Sequence, residues 1–322
     1  MFKTIRLLAI VSRPEFLPAM ASWFTMGFSW GIEPPMRFTE LVVPATLSFA
    51  VIMLSAVVGL QVNTIFDRDL DSMDDRKKGL VQAMDRLGQN RLKSLVAVEF
   101  LFCFTFVFLI SLNQEKPALL FIWIAGIFLG YAYSAPPLRL KSRCWLSLGT
   151  LLLVLCILPV LFVFYTFTSK MNPLFVVFLG GQVLSVYGLI LPTEIRDYFE
   201  DSAMGVETIT VRIGLAKASF LSIIFLSAGG ILTGVAFHFR LACGLKTVLN
   251  GFLLTIAVAD YIVLRKLKML HSLSKEYASS KHQSSKAQDI RRMAAQSPRW
   301  IILASQSAVF MSLILLLGKF LP

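Results

Sequence analysis

Residues 41–72 read LVVPATLSFAVIMLSAVVGLQVNTIFDRDLDS. From Leu41 to Val62 the run carries no charged side chain. It therefore meets the roughly 20 apolar residues that a helix needs to cross a bilayer. The run ends in Asn63, Asp67 and Asp71, and spacings of four place these three along one helix face. Carboxylates beside hydrocarbon are costly unless a cation, a partner or a wet cavity compensates them. The stretch thus predicts a membrane span that closes on an acidic face with work to do.

The pattern recurs about 130 residues later. An apolar run over 173–193 ends in TEIRDYFED, where Glu194, Asp197 and Asp201 share a face at spacings of three and four. The recurrence after four spans suggests two four-helix units, each presenting an acidic helix end, although little else repeats.

Composition agrees with a membrane protein. Of 322 residues 56% are hydrophobic and 16% charged, with a mean hydropathy of +0.72, whereas soluble domains hold roughly 45–50% apolar residues. The apolar runs are long and continuous, which favours helices over a barrel of short alternating strands. Candidate spans are 14–32, 41–63, 95–112, 118–134, 145–168, 173–193, 218–238, 245–264 and 300–320. The expected fold is all-α and polytopic, with about nine transmembrane helices.

Lys and Arg fix the orientation. Placing the N-terminus inside puts Lys3, Arg6 and Arg13, seven cations in 68–93, three in 139–143, three in 196–217 and nine in 265–299 on the inner side. Only Arg37, Lys116, Lys170, Arg240, Lys246 and Lys319 fall outside. This bias predicts a cytoplasmic N-terminus and active-site loops, with the C-terminus opposite. The net charge of +12 is then a topology signal and an attraction to anionic lipid, and calls for no nucleic acid. The opening MFKTIRLLAIVS has too short an apolar part, and no small-residue cleavage site, for a cleaved signal peptide.

Cys103, Cys144, Cys156 and Cys243 show no CxxC spacing and read as core residues. His238, His271 and His282 lie away from the acidic sets in sequence, which argues against a histidine base or metal site. The inner loops 67–94 and 194–217 are long for a helical membrane protein and read as caps, against the plainer alternative of a solvated surface. A third inner segment, YSAPPLRLKSR, holds Tyr133, two prolines that favour an extended turn, and the cations Arg139, Lys141 and Arg143. Residues 265–299 hold no long apolar run and read as a basic cytoplasmic linker. Met269, Leu270 and Leu273 offer a way for it to lie on the membrane as an amphipathic helix.

Oxygen-only ligands suit hard cations, and one or two carboxylates with phosphate and water completing the shell is the habit of magnesium. Such ions hold a diphosphate and neutralise the charge that develops on it as it leaves. Arg139 and Lys141 add donors suited to phosphate. An apolar bundle above them suits a hydrocarbon tail.

NxxxDxxxD closing the second span, YSxPPLxLK after the fourth and DxxxDxxxGxxTxxVxxG after the sixth resemble the UbiA superfamily of intramembrane prenyltransferases. The last motif is filled by Asp197, Asp201, Gly205, Thr208, Val211 and Gly214. The resemblance spans nearly the whole chain, taken as a single domain of residues 1–322, and implies helices around a central lipid-accessible cavity with cytoplasmic cap loops. It implies magnesium-dependent transfer of a prenyl group from a prenyl diphosphate to an aromatic or lipidic acceptor. By resemblance Asn63, Asp67, Asp71, Asp197 and Asp201 bind metal and diphosphate, while Tyr133, Arg139 and Lys141 assist the diphosphate or acceptor. Glu194 joins the metal set by its place on the helix face. Arg68 and Arg196 flank the clusters as further phosphate contacts, and Arg13 is a weaker candidate. Asp69 lies at the wrong helical angle and reads as an interfacial charge. Thr64 and Glu194 stand where many members carry Asp, or Asp or Asn, which bears on acceptor or metal details. A cyclase of the same fold is the neighbouring alternative. A transporter fits less well, because the carboxylates sit at span ends and Pro159, Gly180 and Gly229 do not recur at matching places in the two halves.

Overall fold

The computed structural model describes residues 2–33, 37–241, 246–280 and 284–320. Among them the chain forms only helices, turns and one isolated bridge pair. In order these are α1 (Phe2–Ser12), α2 (Leu17–Gly31), α3 (Phe38–Ser72), α4 (Lys78–Leu87), α5 (Gln89–Asn113), α6 (Ala118–Ser134) and α7 (Cys144–Leu152). Then come α8 (Leu158–Phe167), α9 (Pro173–Ala203), α10 (Ile209–Ile213), α11 (Leu215–Arg240), α12 (Lys246–Ser279), α13 (Ser284–Ala294) and α14 (Ser297–Phe320).

Among the described residues six stretches are long and apolar enough to cross a membrane: Glu40–Ser72, Gln89–Asn113, Cys144–Phe167, Pro173–Ala203, Leu215–Arg240 and Ser284–Lys319. Helices also occupy the expected spans 118–134 and 14–32, but α6 has 17 residues and α2 only 15. Helix α12 occupies 246–264 of the expected span 245–264, whereas Leu245, Cys243 and His282 lie outside the described residues. Large apolar side chains face outward, such as Phe121 at 72% and Ile231 at 67% exposure. Such a surface is unfavourable in water and ordinary in lipid.

The chain divides into two compact units. The first comprises Met1–Leu140 and Leu158–Thr168, the second Lys141–Ile157 and Ser169–Pro322. The expected fifth span therefore splits: α7 and the π-turn Leu153–Ile157 belong to the second unit, α8 to the first.

In the first unit, α3, α5, α6 and α8 share a core of Val51, Cys103, Val107, Leu119, Trp123 and Phe162. Trp123 donates its indole N–H to Ser55 Oγ at 2.9 Å, so the buried polar edge of the ring is satisfied. Loop 67–94 is mostly helix. Ala83, Met84 and Leu87 of α4 bury against Val11 of α1 and Ile65 of α3, and Gly88 ends α4 at φ 82°, where a side chain would be strained.

In the second unit α9 and α11 cross closely. A Cβ on Gly181 would lie 2.9 Å from the Gly229 carbonyl oxygen and 2.7 Å from Thr233 Oγ1. Near the acidic end of α9 this unit buries Leu191, Ile195, Ile209, Leu267, Leu270 and Ile290 together. The basic segment 265–299 is thus helical through the end of α12 and α13. Its Leu270 turns into protein, and Leu273 packs partly buried against the same core.

Candidate active site

The first acidic set sits on the last turns of α3, where Asp67 and Asp71 are only 6% and 5% exposed. Each has a cation at hand. Lys77 Nζ lies 2.7 Å from Asp71 Oδ1, carried by the tight turn Asp75–Lys77 that follows α3. Arg139 Nη2 lies 3.9 Å from Asp67 Oδ1. Asn63 Oδ1 accepts a 2.9 Å hydrogen bond from Ser134 Oγ at the end of α6. Ser134 thereby brings the YSAPPLRLK segment to α3, with half-buried Tyr133 one residue before it. The Pro136–Pro137 bond is cis, and Arg139 follows with φ 35°, its N–H closing a turn onto the Ala135 carbonyl at 2.8 Å.

Arg68 points elsewhere. It grips both carboxylate oxygens of Asp85 on α4 at 2.8 and 3.0 Å and reaches Asp69 at 2.9 Å. This fork ties α4 to α3 and holds the Asp85 carboxyl below its usual range. Asp69 is 91% exposed, away from Asp67 and Asp71.

The second acidic set sits on the last turns of α9. Glu194 Oε2 accepts from the Thr210 N–H at 3.1 Å and its hydroxyl at 2.9 Å, which secures the start of α10. Arg196 makes a two-pronged contact with Asp197, both distances 2.8 Å. Asp201 ends the face, and its carbonyl accepts from Val206 N–H at 2.9 Å. The spaced Gly and Thr of the third motif now have mechanical reasons. Gly205 has φ 67° and Gly214 φ 85°, values that glycine adopts readily and other residues only with strain. Thr208 caps α10 by accepting from Val211 N–H at 3.3 Å. The segment holding half-buried Lys141 is pinned to this loop by Cys144 N–H donating to the Glu207 carbonyl at 3.0 Å.

Each unit thus gathers its own share of the sequence-predicted residues: Asn63, Asp67, Asp71 and Arg139 in the first, Glu194, Asp197 and Arg196 in the second. Arg13 stands apart at the entry to α2, against Glu15 at 3.5 Å and the Phe16 ring. Lys77, Ser134 and Thr210 were not singled out in the sequence. Only the position of Lys77 in the DDRKKG turn after the acidic face hinted at a partner.

Among the described residues no three His, Cys, Asp or Glu side chains close around an ion by themselves. The donor chemistry nonetheless fits magnesium, which takes one or two carboxylates and leaves the remaining positions to phosphate and water.

The sequence matches the model of the UbiA prenyltransferase family over residues 16–282. The chain belongs to that family. It is 29% identical over 215 residues to the lycopene elongase/hydratase of Halobacterium salinarum, covering 66% of this chain and 73% of the relative. Among solved structures, that of a digeranylgeranylglyceryl phosphate synthase aligns with TM-score 0.60 at 14% identity, covering 99% of both chains. A UbiA homologue from Archaeoglobus fulgidus, solved with DMAPP and Mg²⁺, aligns with TM-score 0.55 at 17% identity over 94% of this chain and 99% of that one. At such identity the structures speak to the fold, which is that of UbiA membrane proteins. Family membership makes the chain a prenyltransferase, multi-pass in the membrane.

Proposed function

We propose that this prenyltransferase moves a prenyl group from a prenyl diphosphate to an apolar, lipidic acceptor within the membrane, with Mg²⁺ as cofactor. The observation that carries the reading is the pair of buried carboxylates Asp67 and Asp71, each set beside a cation and on a face shared with Asn63. Asn63, Asp67, Asp71, Asp197 and Asp201 are the proposed oxygen donors. Glu194, on the same face as the latter two, is engaged with Thr210 through Oε2 and braces α10. When bound, Mg²⁺ supplies positive charge to the departing diphosphate.

The chain's own groups do the rest. Arg139 and Lys141 donate to diphosphate oxygens, and Tyr133 borders the same region. The C1–O bond breaks with its electron pair leaving on the diphosphate, and a nucleophilic atom of the acceptor forms the new bond to C1. The proton lost by the acceptor passes to a carboxylate such as Asp71 or Asp201. Phenylalanine faces suit the developing cation, though most of the 27 in this chain are lipid-facing or core residues. The cation bias of the loops supports a cytoplasmic side for this chemistry and for the N-terminus.

A lipidic acceptor is favoured over an aromatic one by the span after YSAPPLRLK, LSLGTLLLVLCILPVLFVFYTF, which offers few polar groups to recognise a phenol, and by the relative named for lycopene. The test supplies purified protein with prenyl diphosphates, with and without Mg²⁺, against a polyene hydrocarbon and a hydroxybenzoate. Diphosphate release should require Mg²⁺ and fall by at least about 100-fold, the scale of removing one preorganised charge-stabilising group, in Asp67→Ala and in Asp197→Ala. Intact turnover in both variants refutes the metal assignment, and prenylated hydroxybenzoate refutes the acceptor class.

A further inference from the structure

The segment 265–299, basic and without a long apolar run, folds back onto the helix that bears the second acidic set. His271 Nδ1 lies 3.0 Å from Ser219 Oγ and 3.1 Å from the Ala216 carbonyl, joining α12 to the start of α11. Lys286 on α13 lies 3.4 Å from Glu276 on α12. Ile290 and Ala294 of α13 are fully buried. From α13, Arg291 reaches α9: its guanidinium carbon sits 4.8 Å above the Phe199 ring, and Nη2 lies 3.4 Å from Glu200 Oε1. The other face of this contact is completed by Tyr277 of α12, edge-on to Phe199 at 5.6 Å.

The placement around α9 gives these contacts a meaning. At about 100° per residue, Asp197 and Asp201 lie within about 60° of Glu194, whereas Phe199 lies about 140° away on one side and Glu200 about 120° away on the other, roughly 60° beyond Asp197. Arg291 therefore holds the same turn from its back, through Phe199, and from its flank beside Asp197, through Glu200. Glu200 needs this contact, because its Oε2 is buried with no hydrogen-bond partner among the described residues. A carboxylate so placed is unfavourable without a neighbouring positive charge.

We propose that Arg291 is a positioning residue of the acidic helix end, and that α12 and α13 form a clamp setting the register of Asp197 and Asp201. The assignment rests on the reading of these aspartates as diphosphate–metal ligands. Arg291 itself touches neither substrate nor metal. Arg291→Lys retains the charge opposite Glu200 and gives up the flat face that lies on Phe199. Phe199→Leu likewise keeps the Arg291–Glu200 charge pair and removes the ring on which the guanidinium lies.

Two measurements test it on the full-length protein. The first is hydrogen exchange of 196–203 without substrate, which should quicken in Arg291→Ala and in Phe199→Leu. The second is the Mg²⁺ dependence of diphosphate release and the KM for prenyl diphosphate. Both constants should rise about three- to tenfold in Arg291→Ala, within the range of couplings carried through packed contacts, with a smaller fall in kcat and partial recovery in Arg291→Lys. If Arg291→Ala does not accumulate, Arg291→Lys and Phe199→Leu carry the test alone.

Unchanged exchange overturns the clamp. Quickened exchange with Mg²⁺ and KM values within twofold of the parent overturns the positioning role. Tighter Mg²⁺ dependence also overturns it, since it would mean that Glu200, once released, acts as an added ligand. Asp197→Ala and Asp201→Ala run alongside: their full activity would refute the metal reading and the positioning role with it, while the exchange result would still report on the clamp.

Discussion

Lys77→Met isolates the charge nearest the first acidic set. Lys77 Nζ stands 2.7 Å from Asp71 Oδ1, with the lysine side chain 30% exposed and the aspartate 6%. At that distance an effective dielectric between about 20 and 80 gives a gross attraction of about 1.5–6 kcal/mol. Solvent screening at the partly exposed lysine and the entropy of fixing its side chain reduce the net to about 1 kcal/mol. A metal ion approaching Asp71 must compete with this ammonium. Removing it should tighten Mg²⁺ binding to the substrate-free protein about fivefold, the equilibrium factor equivalent to about 1 kcal/mol. Calorimetric titration of detergent-solubilised protein measures this directly, with Lys77→Arg as the charge-retaining control that should stay near the parent. The same variant should bind prenyl diphosphate more weakly, having lost a donor for its oxygens. Mg²⁺ affinity that is unchanged or weaker in Lys77→Met would refute the claim that Lys77 and the metal share Asp71.

Two further outcomes follow from the geometry. The Arg68 fork lowers the Asp85 titration, so the pair contributes stability above the ordinary carboxylate value of about 4 and loses it as pH falls through the depressed value. Arg68→Gln should therefore melt below the parent between pH 5 and 8 and converge with it in acid, in a scan that also shows salt sensitivity; a gap independent of pH would refute the assignment. Within the membrane, Glu99 Oε2 and Gln61 Oε1 are buried acceptors with no hydrogen-bond partner among the described residues, although Gln61 Nε2 donates to Glu99 Oε1 at 3.3 Å. Glu99→Gln supplies an N–H₂ group to that pair and should hold or raise the melting temperature, whereas Gln61→Ala should cost about 1–3 kcal/mol of stability.

Helices and acidic faces were legible because they rest on local rules. A bilayer demands long apolar runs, and a period of 3.6 lines up residues three and four apart, so α3 and α9 were readable together with the residues on them. Contacts made by side chains across turns were not. Arg68 sits beside Asp67 in sequence, yet its fork closes on Asp85, seventeen residues away, because α4 folds back there. The basic segment 265–299 misled for a different reason. Its apolar residues are too sparse for a run, but Leu267 and Leu270, continuing from Val263 before it, then Ile290 and Ala294, follow helical spacing and are all buried. The signal was periodicity within a polar composition. The break after Ile157, where the chain passes from one unit to the other inside an apolar stretch, had no signal in hydropathy at all.

The lengths of the two acid-bearing helices explain why so much protein gathers at their ends. α3 has 35 residues and α9 has 31, or about 52 and 46 Å at 1.5 Å per residue. A hydrocarbon core of about 30 Å cannot contain either of them. The last turns must stand outside it and would fray unless held, since terminal carbonyls lack intrahelical partners. The two units hold them by different means. α3 is flanked by α1 and α4, with Lys77 and Arg139 placed directly against its carboxylates. α9 carries its own cation, Arg196, against Asp197, and is further gripped by α13 at Phe199 and Glu200 and braced at Glu194 by α10. Substitutions at Lys77 and Arg139 should therefore act on charge at the α3 carboxylates, while those on α10 and α13 should act on the position of the α9 carboxylates.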